Sequence, residues 1–379
     1  MSVSELPLPR ISRAKCAFTT RRMDLPAVQG LSLLTGDVVP HPGDLVLAEV
    51  TVIGQHKRVE LATGRRASLY IGDEVVLAYA GRYAPDQFEA EVPPDLSACQ
   101  LVAGGGLAAR VVTQHADMDA ATELMPVGLI ADSRGRVLNV RDGALAPRPA
   151  RSRRSINPMT IVVAGTSMNS GKTTTVAAIA HGLTALGLRV GAMKVTGTGA
   201  GGDPFLFADA GAAEVLDFTD AGYASTYRVP VGELAEAFIT LHEELAARGV
   251  DAIVVEIADG ILQQETASLL REPVIAQRTG GMVFAAGDAL GAVIGVTRLR
   301  ELGLPVLAAS GILTCSPLAV REAKSILDVP VYSPEDLGNT AIAQSLLDRI
   351  GLVPDVDRIG LVPDVDRIGP VPDRLKVSA

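Results

Sequence analysis

The chain has 379 residues, 48% of them apolar and 20% charged, which suits a soluble globular protein long enough for two domains with separate cores. A formal charge of -9 argues against a nucleic-acid or anionic-membrane binder, and three dispersed cysteines, Cys16, Cys99 and Cys315, give neither a disulfide framework nor a zinc pattern. Trp is absent and aromatics are 3%, which argues against aromatic stacking as the main binding device. No apolar signal core opens the chain and no run approaches the roughly 20 apolar residues of a membrane span, so a cytoplasmic protein is expected.

Residues 1–146 read as a β-rich domain. Strand candidates are Leu45–Ile53, Ser68–Ile71 and Glu74–Ala80, with turn chemistry at Gly64-Arg65 and Ile71-Gly72-Asp73. Leu101–Val112 is broken by Gly104-Gly105-Gly106. Gly128–Ala131 and Arg136–Val140 flank Asp132–Gly135 as a hairpin. Short strands at this spacing predict a small barrel or sandwich. The segment 147–158, rich in Pro and Arg, reads as a basic linker.

From Met159 to about residue 350 strands and helices alternate, with strands over 161–164, 190–194, 252–257, 282–286, 306–309 and 329–332. The expected fold is α/β: a mostly parallel sheet with helices on both faces, carrying ligands at the carboxyl ends of its strands. In the tail, Gly351–Ile359 is repeated as Gly360–Ile368, and a degraded third copy follows. A nine-residue unit with a proline in each copy is too short for a solenoid, so residues 351–379 read as an extended or disordered appendage.

The chemistry concentrates at Gly165-Thr166-Ser167-Met168-Asn169-Ser170-Gly171-Lys172-Thr173, a complete G-x-x-x-x-G-K-[ST] loop between a buried strand and a helix. Its N–H groups, with Thr174 following, would cradle phosphates. Lys172 would reach the β- and γ-phosphates, and the Thr173 hydroxyl would ligate Mg²⁺. Glu256 closes an apolar strand where a metal-side carboxylate belongs, with Asp259 in the turn beyond it. Lys194 ends another strand and would point at phosphate or at a substrate carboxylate. The Gly-rich loop 196–202 leads to Asp203, the candidate second metal-side carboxylate, with Asp209 its competitor and Asp217 and Asp220 weaker ones. Thr173, Asp203 and Glu256 form the expected metal set; Lys172, Lys194 and Glu256 form the expected catalytic set.

Further polar groups are placed to contribute. Ser225–Arg228 would meet an anionic substrate or lie on a loop surface, Gln263–Thr266 would face the site's mouth, and Asp288 and Thr314 follow later strand ends. Ser310 is the candidate contact to the nucleotide base. In the first domain His56-Lys57-Arg58, Arg65-Arg66 and Arg82 concentrate positive charge, read first as a solvated face and second as an anion pocket. The five histidines are scattered and none forms H-E-x-x-H.

The run GTSMNSGKTTT, the strand GAMK ending at Lys194, the Gly-rich loop into Asp203, and VVEIADG containing Glu256 resemble the P-loop class of dethiobiotin synthetase, the cobyrinate amide-forming synthetases and the MobB molybdenum-cofactor adaptor. The resemblance spans about residues 159–345. It implies Thr173, Asp203 or Asp209, and Glu256 around Mg²⁺, Lys172 and Lys194 on phosphate or substrate, and a homodimer. Thr166 and Ser167 stand where many relatives carry an early lysine, and IADG differs from the E-G-x-G-G of dethiobiotin synthetase, so biotin synthesis is not implied. The expected function is ATP-dependent phosphoryl transfer to a small anionic acceptor, a carboxylate by expectation, with amide or ring formation as an optional following step and GTP left open. A nucleotide-hydrolysing switch or adaptor in cofactor or metal-centre assembly is the alternative.

Overall fold

The computed structural model describes residues 1–149 and 158–352. Most of the basic linker and nearly all of the repeat tail lie outside these residues.

The first region contains β1 (Ser2–Glu5), α1 (Leu8–Arg13), β2 (Lys15–Cys16), β3 (Ser32–Thr35), β4 (Leu45–Val52), β5 (Arg58–Glu60), β6 (Arg66–Ser68), β7 (Glu74–Tyr79), β8 (Arg82–Tyr83), β9 (Phe88–Glu91), β10 (Cys99–Ala103), β11 (Leu107–Gln114) and β12 (Thr122–Ala131). Strand β4 pairs with β7, β7 with β11, β11 with β10, β10 with β12, and β12 with β4 again. This ring closes a barrel and removes the open edges a flat sheet would leave. Alternation along β4 and β7 drives it: Leu45, Leu47, Val76 and Ala78 fill one cluster, while Val46, Val50, Val75 and Leu77 fill another.

Two local expectations shift. The strand expected over 68–71 ends at Ser68, because the Asp73 carboxylate accepts the Tyr70 N–H at 2.6 Å and Gly72 takes φ 88°, making a turn of the rest. The second hairpin arm reduces to a bridge between Ala131 and Val137, since the Asn139 side chain instead caps a short helical turn over Val140–Gly143.

The second region contains β13 (Met159–Gly165), α2 (Lys172–Ala185), β14 (Val190–Lys194), α3 (Gly202–Asp209), β15 (Glu214–Asp217), α4 (Val231–Ala247), β16 (Ala252–Glu256), α5 (Gln264–Leu269), α6 (Pro273–Arg278), β17 (Gly281–Ala285), α7 (Ala289–Glu301), β18 (Val306–Ser310), α8 (Pro317–Ile326), α9 (Pro334–Leu337) and α10 (Thr340–Leu352). The six strands lie in the order β15-β14-β16-β13-β17-β18, and every pair is parallel. Both faces are covered, one by a core containing Phe238, Leu241, Met282 and Phe284, the other by one containing Ile179, Leu183, Leu337 and Leu346. This is the α/β sheet of a P-loop NTPase with an added β-rich region. Edge strand β15 was not anticipated, and the expected strand over 329–332 is only a bridge between Ala309 and Val331. Among the described residues no helix is long and apolar enough to cross a membrane.

The two regions meet along a seam of backbone. A Cβ on Gly105, in the turn between β10 and β11, would overlap the carbonyl oxygen of Gly199 in the Gly-rich loop. Only glycine allows chains to approach this closely. Arg21 anchors one end of the seam, 2.9 Å from Asp220 and 3.3 Å from Asp217.

Candidate functional site

Strand β13 delivers the chain into the phosphate loop at the centre of the sheet, and α2 leaves it. Asn169 (φ 61°) and Gly171 (φ 93°) take left-handed conformations that wrap the loop. A Cβ on Gly171 would sit 3.0 Å from the Gly311 Cα, in the loop after β18 that donates the Ile312 N–H to the Ser170 carbonyl at 3.0 Å. The first-turn N–H groups of α2 have no acceptor within the helix, so they and the helix dipole make an anion cradle. Lys172 is buried and curls back to donate to the Ser167 carbonyl at 2.7 Å. Burial lowers its pKa, and the nearby Glu256 carboxylate opposes that.

The floor is set by strand register. Lys194 on β14 lies directly across from Glu256 on the adjacent β16. Its ammonium is 3.1 Å from Glu256 Oε1 and donates to the Asp203 carboxylate. Burial by itself would lower the Lys194 pKa; the two carboxylates more than offset this and raise it, so Lys194 stays charged. Glu256 is buried, and its second oxygen, Oε2, has no hydrogen-bond partner among the described residues. Asp203 stands in the first turn of α3, whereas Asp209 is exposed at the far end of that helix, away from the floor. Asp259 also lines the site, and burial raises its pKa against the pull of Lys194 and Lys172.

The barrel forms the opposite wall. Together they enclose a cavity of 1020 Å³ lined by Asn169, Lys172, Thr173 and Thr174 of the phosphate loop, by Lys194, Asp203, Glu256 and Asp259 of the floor, and by His56, Lys57, Arg58, Arg66 and Arg82 of the barrel. Asn169 donates to the Asp86 carboxylate at 2.7 Å, and the Gly201 N–H donates to buried Glu60 at 2.8 Å. The barrel thus touches both loops that border the cavity. Arg82 is buried, bonded to the Val102 carbonyl and to Gln87, and burial lowers its pKa to about 10. His56 is pushed to about 4 by burial and by Arg82, so it is neutral at physiological pH.

The positive barrel face therefore lies on the cavity and not in open solvent, as the anion-pocket alternative expects, although Arg65 does not line the cavity. Its clue in the sequence was the glycine triplet next to it in space, whose partner loop is about a hundred residues away. Asp86 and Glu60 carried no motif and were missed.

Other candidates are used elsewhere. Ser310 is fully buried, 3.5 Å from the Thr175 hydroxyl beneath α2, and does not line the cavity; Ile312 does so from the same loop. Asp217 and Asp220 are taken by Arg21 and Arg22. Tyr227 donates to Glu89 at 2.9 Å and Arg228 pairs with Glu91 at 2.7 Å, so this cluster joins the two regions. Gln263 and Asp288 cap α5 and α7. Of the five histidines only His56 lines the cavity.

No protein-family model matches the chain, and no curated protein matches its sequence. Among solved structures it is similar to the signal recognition particle receptor FtsY from Elizabethkingia anophelis, at 17% identity and TM-score 0.35 over 56% of this chain and 76% of that one. It is also similar to a LAO/AO transport system kinase, at 18% identity and TM-score 0.33 over 51% of this chain and 59% of that one. The signal recognition particle 54 kDa protein from Aeropyrum pernix K1, in complex with GDP, matches at 20% identity and TM-score 0.35 over 53% of this chain and 50% of that one. At these scores the likeness carries nothing about activity, and none of the three singles out the dethiobiotin synthetase or MobB class. The P-loop fold of this chain rests on its own loop and parallel sheet.

Proposed function

We propose that this protein is an ATP-dependent phosphoryl-transfer enzyme acting on a small anionic acceptor in the cleft between the phosphate loop and the barrel. The observation that carries the reading is the convergence of Lys172, Lys194, Asp203 and Glu256 in one cavity with a second wall supplied by the barrel. Its 1020 Å³ is at the upper end of the roughly 300–1,000 Å³ of ligand pockets, enough for a nucleotide and a second molecule. An acceptor carboxylate oxygen would attack the γ-phosphorus. The bond from that phosphorus to the β,γ-bridging oxygen would break, leaving its electron pair on ADP. Lys172 and Lys194 offset the charge that moves, while the two walls hold the reactants in line. Amide or ring formation from the acyl phosphate would follow where an amine is present. The reading includes a dethiobiotin synthetase-like class and a cytoplasmic homodimer.

The oxygen donors Thr173, Asp203 and Glu256 fit Mg²⁺, and the unpartnered buried Glu256 Oε2 is the observation that supports the fit. Among the described residues no group of three or more His, Cys, Asp or Glu side chains is placed to hold a metal ion by itself. Mg²⁺ bound there would neutralise phosphate charge.

A second reading, a nucleotide-hydrolysing switch or adaptor, is favoured by the Asn169–Asp86 and Gly201–Glu60 bonds, through which the loops bordering the nucleotide hold the barrel. Measuring nucleoside diphosphate release with and without a pool of carboxylates and amines separates the two: acceptor-dependent release supports the enzyme, and acceptor-independent release supports the switch.

A further inference from the structure

The β5–β6 ribbon has two chemically distinct faces. Val59 pairs with Ala67, and both are buried in the barrel core. Arg58 pairs with Ser68 and Glu60 with Arg66, so these four side chains occupy the other face. Arg58, Glu60 and Arg66 of that face line the cavity. Glu60 is committed to the Gly201 N–H. Arg66 extends towards Gly202, the residue before Asp203, with Nη2 3.9 Å from where a Cβ on Gly202 would lie. Neither Arg58 nor Arg66 forms an ion pair among the described residues.

The charge on the floor does not favour an anionic acceptor. Lys172 and Lys194 face Asp203, Glu256 and Asp259, and a bound nucleotide would add further negative charge. The floor's two lysines are matched by its own carboxylates, so the barrel wall, with Lys57, Arg58, Arg66 and Arg82, is the side of the cavity with excess positive charge. Arg82 is buried and spends its two Nη groups on Val102 and Gln87, with only its Nε unpartnered, whereas Arg58 and Arg66 are exposed on the ribbon's cavity face with whole guanidinium forks to offer an anion.

Resting on the phosphoryl-transfer reading, we propose that the cavity face of the β5–β6 ribbon is the acceptor subsite. The acceptor is a small molecule with at least two anionic groups, carboxylate or phosphate. One is held by Arg58 and Arg66, and the other is presented to the nucleotide beside Lys194.

The test is calorimetric titration of the full chain, saturated with Mg²⁺ and a non-hydrolysable ATP analogue, at constant ionic strength. The probes are acetate, succinate, tricarballylate and 3-phosphoglycerate, and the proteins are wild type, Arg58→Ala/Arg66→Ala and Arg58→Lys/Arg66→Lys. At least one multi-anionic probe is expected to bind ten-fold or more tighter than acetate. That binding should fall at least ten-fold in the alanine pair and by less in the lysine pair. Affinity for the nucleotide analogue, titrated separately, should stay within two-fold. The carboxylate and phosphate arms tell which anion the subsite takes. The proposal is overturned if no multi-anionic probe outbinds acetate, if the alanine pair binds it unchanged, or if nucleotide affinity falls in parallel. Wild-type protein that fails to bind the analogue at all overturns the phosphoryl-transfer reading itself, and the subsite with it; that failure shows in the nucleotide titration alone.

Discussion

Lys194 and Glu256 face each other across adjacent parallel strands, 3.1 Å apart, beneath the phosphate loop. Both are buried, so each depends on the other's charge. Lys194→Ala is expected to destabilise the protein by about 3 kcal/mol, because it removes one partner of a buried pair and leaves the other uncompensated. Lys194→Met combined with Glu256→Gln should recover most of this. Urea unfolding measures both; a loss below about 1 kcal/mol for Lys194→Ala would show that Glu256 does not need the ammonium.

Among the described residues the Lys172 ammonium donates to its own loop, at the Ser167 carbonyl. Its replacement by alanine should leave the fold intact while weakening nucleotide binding at least ten-fold, or about 1.4 kcal/mol. A fluorescent-nucleotide titration in Mg²⁺, read beside a melting curve, checks both halves. Unchanged affinity would remove the loop from nucleotide binding.

The seam between barrel and Gly-rich loop is tested at Gly105. Gly105→Ala puts a methyl group into the Gly199 carbonyl, where backbone must move, and is expected to cost roughly 1–3 kcal/mol. Gly232→Ala is the control: on α4 it meets nothing within 4 Å, and it should be neutral or stabilising by up to about 1 kcal/mol. Equal effects at the two positions would contradict the close packing.

Local pattern made much of this architecture legible. The loop Gly165–Thr173 follows its strand directly, and the ends of β14 and β16 place Lys194 and Glu256 because an apolar run stops there. What connects the regions was not legible. Arg21 and Asp217 are nearly two hundred residues apart, and nothing near Asp217 distinguishes an ion-pair partner from a metal ligand. Ser310 looked like a site residue because it ends a strand; its neighbour Gly311 (φ 99°) turns the chain so that Ile312 meets the cavity instead. Arg58 and Arg66 read as surface because a ribbon's outward face looks solvated until the facing loop is known.

His242 gives a pH test of packing in the second region. It is buried, its ring lies 3.0 Å from the Thr160 hydroxyl, and burial, aided by Arg278, lowers its pKa from 6.5 to about 3. Between those values the unfolded chain holds a proton that the folded chain does not. Stability from this group is therefore present above pH 6.5 and is lost as pH falls towards 3, by up to about 1.4 kcal/mol per pH unit. His242→Gln removes the titration. The stability of wild type relative to this variant should fall between pH 6.5 and 4, measured by urea unfolding; a constant difference would contradict a neutral buried imidazole.

Phosphoryl transfer in the cleft and hydrolysis alone leave different products. The direct measurement incubates the protein with ATP, Mg²⁺ and a pool of small carboxylates and amines, and follows diphosphate and phosphorylated products by mass spectrometry. Phosphoryl transfer requires ADP release that rises with the pool, a phosphorylated or condensed acceptor, and loss of both in Lys172→Ala. ADP and inorganic phosphate formed at the same rate with or without the pool, and no modified acceptor, would contradict it.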